Sequence, residues 1–229
     1  MCGRYLLRNA PDDTDLTWRE YYEGINGWFT VPRFNICPSQ ECIVLRYIND
    51  ELVCDTLKWG FKPAWSKYQP LINAKAENLF ESKMFKNSIL NKRCLIVADG
   101  FYEPKGPSSQ KSRPWHLFEY EDQRVFSMAG IWVEDGFAIL TNEPNAQVVD
   151  IHSRMPHIIE GENRASWLNP KLKEEAELRI LLEAQEYEGM KNFQVSDYVK
   201  KPGKEGPECA EPMEAKSLKE APKNDEWDF

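Results

Sequence analysis

The rhythm of apolar and polar positions changes several times along the 229-residue chain, and the changes mark elements. ECIVLRYI (41–48), ELVCDTLKWG (51–60), RCLIVADGFYE (93–103), RPWHLFEYE (113–121), RVFSMAGIWV (124–133) and GFAILTN (136–142) are short runs rich in Val, Ile, Phe and Tyr. Asn-Asp, Gly or Pro clusters separate them, the pattern of strands joined by tight turns. Two segments have helical spacing. PDDTDLTWREYYEGINGWF (11–29) opens on Pro and acidic residues ahead of Leu16, Tyr21 and Tyr22, which predicts a helix with an acidic first turn. NRASWLNPKLKEEAELRILLEAQEYEG (163–189) carries Leu172, Ala176, Ile180 and Leu181 near helical spacing among charges, which predicts an amphipathic surface helix. A further helix is expected at about 77–91. Helices at the ends and closely spaced strands between them favour a largely antiparallel α+β architecture over a doubly wound one. The last thirty residues are dense in Pro, Gly, Lys and Glu, so a single domain over 1–213 and a loosely ordered polar tail over 214–229 are expected.

Composition agrees with one domain: 41% hydrophobic and 29% charged residues suit a substantial core. The chain has no run of 18 apolar residues, and no basic stretch followed by an apolar segment opens it, so a soluble cytoplasmic protein without a membrane partner is expected. The six cysteines include no C-x-x-C pair and no matched histidines, so reduced thiols are expected and neither a zinc site nor another cofactor is. Cys42, Cys54 and Cys94 lie in apolar runs and read as small buried hydrophobes. The net charge of −8 changes the picture more than the other totals, because it hides an asymmetry: residues 57–113 hold 11 Lys/Arg against 4 Asp/Glu, a net +7. Local field decides phosphate capture, so an anionic partner stays open despite the acidic average.

Candidate chemistry begins at the second residue. A cysteine behind the initiator methionine is small enough for that methionine to be removed, which would leave the Cys2 thiol and α-amine side by side. Such an amine titrates near ~7.8 where a lysine amine titrates near ~10.4, so far more of it is free to attack an aldehyde at neutral pH. The thiol can then close on the imine carbon to a thiazolidine. An N-terminal cysteine can equally serve as the thiol nucleophile of an amidohydrolase, and MCG alone does not choose between them.

Four further segments place polar residues beside aromatics and glycines. In LKWGFKPAWSK, Trp59 reads as core, whereas Trp65, between Lys62 and Lys67, suits either core or base stacking. Asn73 precedes the 77–91 segment and suits either substrate positioning or a helix N-cap, with Lys75, Lys83 and Lys86 available for phosphates. Glu103 follows an apolar strand and a D-G turn between Phe101, Tyr102 and Pro104, where a carboxyl tends toward a raised pKa and general acid–base work. In VVDIHSRMPH a strand is expected to end at His152, with Arg154 on the same face two residues on. His116 and His157 rank below His152.

MCGRY, FNICPS, WGFKPAW, INAKAE, ADGFYE, AGIW, ILTN and IHSRMP resemble, in order and spacing, the SRAP family, the SOS response-associated peptidases. The resemblance runs from Cys2 to about Pro156 and continues weakly to EGPECAEP near residue 212. It implies a barrel-like, mostly antiparallel sheet flanked by helices. It also implies a sensor of abasic sites in single-stranded DNA that joins them covalently through Cys2, with lyase-type Schiff-base chemistry and self-processing as associated activities; a monomer is expected. Carried over residue by residue, Cys2 matches the nucleophile, Asn73 the residue positioning the sugar, Glu103 the acid–base and His152 the histidine assisting proton transfer. Gly3, Arg4, Asn35, Pro38, Trp65, Lys75, Lys83, Thr141 and Arg154 fall where the family grips DNA, mostly through phosphate and sugar.

Two positions depart from the pattern. Lys75 stands where the family usually has arginine and lacks the planar fork that binds phosphate bidentately. Pro104 replaces a common tryptophan, removing an aromatic surface and a backbone donor. Two alternatives remain at this level: an N-terminal-nucleophile amidohydrolase or thiol peptidase, whose amidotransferase form also begins MCG but needs an R-G-P-D type segment missing here, and a non-catalytic single-strand binding module.

Overall fold

A computed structural model describes residues 2–10, 25, 29, 31–63, 67, 69–107, 109–110, 112–134 and 136–213. The expected helix at 11–29, apart from Ile25 and Phe29, lies outside them, as do Trp65 and the 214–229 segment.

Two sheets share one large core. The first is built on the apolar runs β3 (Glu41–Ile48), β4 (Glu51–Trp59), β6 (Arg93–Ala98), β9 (Phe126–Val133) and β10 (Gly136–Asn142). Neighbours pair in the order β10-β4-β3-β6-β9, and β10 pairs β9 as well, so the five strands close into a ring. Closure removes the free edges that an open apolar sheet would expose. The seam is a short parallel contact in which Gly136 and Phe137 lie against Lys58 and Trp59. Glycine is needed on both sides of it: Gly60 has φ +100°, and a Cβ on Gly136 would stand 2.8 Å from the Gly60 carbonyl oxygen. The β3–β4 hairpin turns on Asn49 and Asp50, both at positive φ, as a two-residue turn matched to strand twist demands.

Beyond the seam β5 (Asn73–Lys75) continues the parallel pairing along β10, and two short strands, β11 (Met155–Pro156) and β12 (Ile158–Ile159), pair β10 and β9. The second sheet is antiparallel, in the order β13-β8-β7-β1-β2, with β1 (Tyr5–Leu7), β2 (Arg33–Ile36), β7 (Gly100–Pro104), β8 (Trp115–Tyr120) and β13 (Met190–Val195). The run RCLIVADGFYE serves both sheets, breaking at Asp99 to pass from β6 in the ring to β7 in the second sheet. Asp99 is buried there, and its Oδ2 accepts the Arg8 and Asn9 amides, each at 2.9 Å, which fixes the outgoing end of β1. The fold is therefore the expected α+β class with mostly antiparallel sheet.

Among the described residues, three short helices, α1 (Lys86–Asn91), α2 (Asn163–Leu168) and α3 (Glu175–Leu181), stand where longer ones were expected over 77–91 and 163–189. The 163–189 segment is two helices because Pro170 lacks the amide the helix needs and pushes Asn169 out of the helical region, to ψ 111°. Its apolar stripe differs too: Leu178 and Leu182 are buried one turn apart, whereas Ala176 and Ile180 face solvent. The 77–91 helix is a 3-10 turn at Ala76–Asn78 followed by turns and α1. VVDI is not a strand. The Val148 and Val149 amides bond the Asn145 carbonyl and the His152 amide bonds Val148, so the segment winds in tight turns and delivers His152 from a loop.

Candidate active site

Pairing with β7 places Cys2. Tyr5 lies opposite Phe101, and the Arg4 carbonyl accepts the Tyr102 amide at 3.0 Å, so the chain ahead of β1 runs alongside Glu103. Cys2 has no solvent exposure, and its thiol lies 3.7 Å from the Arg4 carbonyl. Burial, reinforced by the nearby Glu103 carboxyl, pushes the thiol pKa far above its ordinary value, so the sulfur is held as S–H. The Cys2 carbonyl accepts the Asn73 side-chain amide at 2.8 Å across 71 positions of sequence. Asn73 belongs to β5, not to a helix cap: the 3-10 turn that follows starts from Lys75 and has no side-chain cap. Its Oδ1 is buried with no hydrogen-bond partner among the described residues, an acceptor available to a substrate hydroxyl.

Glu103, at the middle of the β7–β8 ladder opposite His116, is completely buried, and its pKa is pushed up to about 8 by that burial. Neither carboxyl oxygen has a hydrogen-bond partner among the described residues. His152 Nδ1 lies 3.7 Å from Glu103 Oε2, too long for a hydrogen bond. The same Nδ1 is 2.9 Å from the Arg154 carbonyl, which favours a proton on Nδ1, and 3.2 Å from the Arg154 amide, which favours a bare one, so Arg154 backbone groups hold the ring in either tautomer. Burial lowers the imidazole pKa. At neutral pH the two groups therefore face each other as a carboxylic acid and a neutral imidazole, not as an ion pair. The structure thus gathers Cys2, Asn73, Glu103 and His152 into one place from four separate segments.

The expected DNA-gripping residues divide. Lys75 and Lys83 are exposed, and Gly3, Arg4 and Pro38 are half-buried. Asn35 and Thr141 stand differently from surface contacts. Asn35 is buried, and its side-chain amide donates to the Val199, Lys201 and Lys204 carbonyls, tying the chain that follows β13 onto β2. Thr141 is also buried, and its carbonyl and hydroxyl both accept from Arg154 Nη2. Arg154 itself is held by Glu77 in a two-pronged pair at 2.7 and 2.9 Å. Glu77 went unnoticed in the sequence, although it lies two residues after Lys75 in INAKAE, the i, i+2 spacing of one strand face. Two grooves each include one member of the cluster. One, of about 500 Å³, includes Asn73 and Lys75 in its walls, and the other, of about 820 Å³, includes His152.

A closed β-ring joined to a second sheet, with a buried cysteine close to an uncharged carboxyl–imidazole pair, defines an α+β protein with a candidate cysteine site. Comparison with known proteins narrows it: residues 1–202 match the family model described as SOS response associated peptidase (SRAP), and the chain belongs to that family. It is 33% identical over 234 residues to the abasic site processing protein YoqW of Bacillus subtilis, covering 92% of this chain and 99% of the relative. It is 30% identical to the abasic site processing protein YedK of Escherichia coli, over 78% and 85% of the two chains. Among solved structures, a phage-related protein of Bordetella bronchiseptica superposes with a TM-score of 0.71 at 26% identity, covering 85% of this chain and 94% of that one. A Bacteroides thetaiotaomicron protein of 22% identity gives the same TM-score, covering 93% and 100%, and so shares the fold.

Proposed function

We propose that this protein captures abasic sites in single-stranded DNA as a covalent thiazolidine through Cys2, once Met1 has been removed. The observation that carries the reading is the position of Cys2: its carbonyl is fixed by Asn73 and its thiol is buried beside Glu103, a carboxyl that keeps its proton at neutral pH. The abasic-site processing named for the similar proteins supports the substrate class.

Chemistry follows from the protonation states. The open-chain sugar of an abasic site presents an aldehyde to the Cys2 amine. Attack forms a C–N bond and a carbinolamine, and protonated Glu103 gives the departing hydroxyl its proton, so that one water leaves and a Schiff base remains. The Cys2 sulfur then adds to the carbon of the protonated Schiff base, whose nitrogen keeps the hydrogen left from the amine, while the thiol proton returns, directly or through His152, to the Glu103 carboxylate and restores the acid. The net change is aldehyde plus aminothiol to thiazolidine plus water. Asn73 holds the Cys2 backbone and offers Oδ1 to the sugar. The same Schiff base permits lyase-type strand scission if ring closure lags, and hydrolytic removal of the residue ahead of Cys2 is the self-processing step. The raised thiol pKa weighs against an amidohydrolase dependent on a resting thiolate.

Intact-mass measurement first establishes a chain beginning at Cys2. That protein, mixed with a single-stranded oligonucleotide carrying one internal abasic site, is expected to give an adduct stable to denaturing gel electrophoresis. Wild type without adduct, or Cys2→Ala with as much, overturns the proposal.

A further inference from the structure

An abasic nucleotide inside a strand has a phosphate on each side, so a site that buries it must let the strand leave in two directions. The groove at Asn73 and Lys75 supplies one direction. The larger groove opens at His152, and its cations are Lys105 and Arg113, which none of the motifs above includes. Both residues stand at the ends of the strands that carry the acid–base group. Glu103 pairs His116 and Pro104 pairs Trp115, and the ladder continues one step as the Lys105 amide bonds the Pro114 carbonyl at 2.8 Å. The β7–β8 ribbon therefore runs from Glu103 straight out to Lys105 and Arg113.

Resting on the abasic-site reading, we propose that Arg113, assisted by Lys105, binds the backbone phosphate on the His152 side of the captured nucleotide. Arg113 is half-buried and forms no ion pair among the described residues. Its one hydrogen bond there, to the Gly106 carbonyl, is long at 3.4 Å, so at this wall of the groove most of its donors have no partner among the described residues. Glu143 and Asp150 also line this groove, from the segment that carries His152. They rule out a uniformly basic channel and direct the phosphate to the β7–β8 wall. The Arg113 charge also reaches inward, lowering the pKa of both Glu103 and His152 against the dominant effect of burial on the first and with it on the second. Arg113 thus couples strand binding to the protonation of the acid–base pair.

The test uses single-stranded oligonucleotides with a tetrahydrofuran abasic analogue, which bind without reacting, either flanked on both sides or truncated to one flank. For Arg113→Gln, affinity for the two-sided oligonucleotide is expected to fall about fivefold to tenfold. The slope of log affinity against log salt is expected to become shallower by about 0.7. Arg113→Lys retains the slope, and only one of the two one-flank oligonucleotides is sensitive to Arg113→Gln, the other being sensitive to Lys75→Gln. With a reactive abasic site, the alkaline limb of the cross-linking rate for Arg113→Gln moves to higher pH, because Glu103 loses a nearby positive charge. An unchanged affinity and slope, or equal losses on both one-flank oligonucleotides, overturns the assignment of Arg113. A wild-type protein that neither binds the analogue nor cross-links overturns the abasic-site reading itself.

Discussion

His152 Nδ1 stands 3.7 Å from Glu103 Oε2, yet burial raises the pKa of the acid to about 8 and lowers that of the base, so proximity does not make an ion pair at neutral pH. A charged pair in a site without a hydrogen bond to either carboxyl oxygen would carry a desolvation cost its separation does not offset. The neutral arrangement stores a proton where a departing hydroxyl needs one.

The stored proton has a stability consequence. The unfolded chain releases it near the ordinary carboxyl pKa of 4.5 and the folded chain keeps it to about 8, so stability falls as pH rises through that window. Glu103→Gln abolishes the titration. The unfolding free energy of the variant relative to wild type, from melting curves, is expected to rise steadily between these pH values, with a slope of up to about 1.4 kcal/mol per pH unit. Cross-linking by the same variant should slow by about 10²–10⁴-fold. Parallel melting curves across pH would contradict a proton held by Glu103.

Asn73→Ala removes the bond to the Cys2 carbonyl. The expected stability loss is about 1 kcal/mol, whereas adduct formation should fall by about 10²-fold, since misplacing a reacting group costs far more in rate than in folding. Single-turnover cross-linking and thermal melting of the same preparation separate the two.

Asn35→Ala distinguishes a structural amide from a DNA contact. Three carbonyls lose a buried donor, that of Val199 without a second partner among the described residues, so a loss of about 2–3 kcal/mol is expected from denaturant unfolding. Affinity for the unreactive abasic analogue, measured well below the unfolding transition, should stay within about twofold. A selective loss of affinity with stability intact would return Asn35 to the DNA surface.

Arg93→Met tests a hub away from the site. The buried Arg93 guanidinium donates to the Ile89, Leu90, Trp167, Asn169 and Leu172 carbonyls, and burial lowers its pKa to about 10. Methionine fills part of the volume but removes a buried donor from each of those carbonyls, of which Leu90 keeps Lys173 and Asn169 keeps the Leu172 amide, so unfolding by urea should show a loss of about 3–5 kcal/mol. The chemistry at Cys2 should be unaffected at temperatures where the variant is folded.

Among particular elements, the apolar runs at 41–48, 51–60, 124–133 and 136–142 became β3, β4, β9 and β10 nearly at their expected bounds, because strands this apolar must be covered on one or both faces. The Asn-Asp turn was equally legible. Pro170 was present in the sequence as a helix breaker, but the apolar periodicity of 163–189 overrode it in the expectation. VVDI reads as a strand by composition, and becomes a turn because the chain there must bring His152 over Glu103 and Arg154 back onto β10. Asn35 and Thr141 were placed by motif alone, and motif position does not say whether a polar side chain faces solvent or a backbone carbonyl.

What the sequence determined by itself is the long apolar strands, the family and the candidate set of Cys2 with Asn73, Glu103 and His152, since these rest on local pattern and on residue chemistry. The tertiary structure decided what those residues are: a thiol held protonated, a carboxyl carrying a proton to about pH 8, an arginine occupied by Glu77 and a second groove reached along the β7–β8 ribbon. Protonation and pairing depend on burial and on distances across tens of positions of chain, and these exist only after the ring has closed at Gly60 and Gly136.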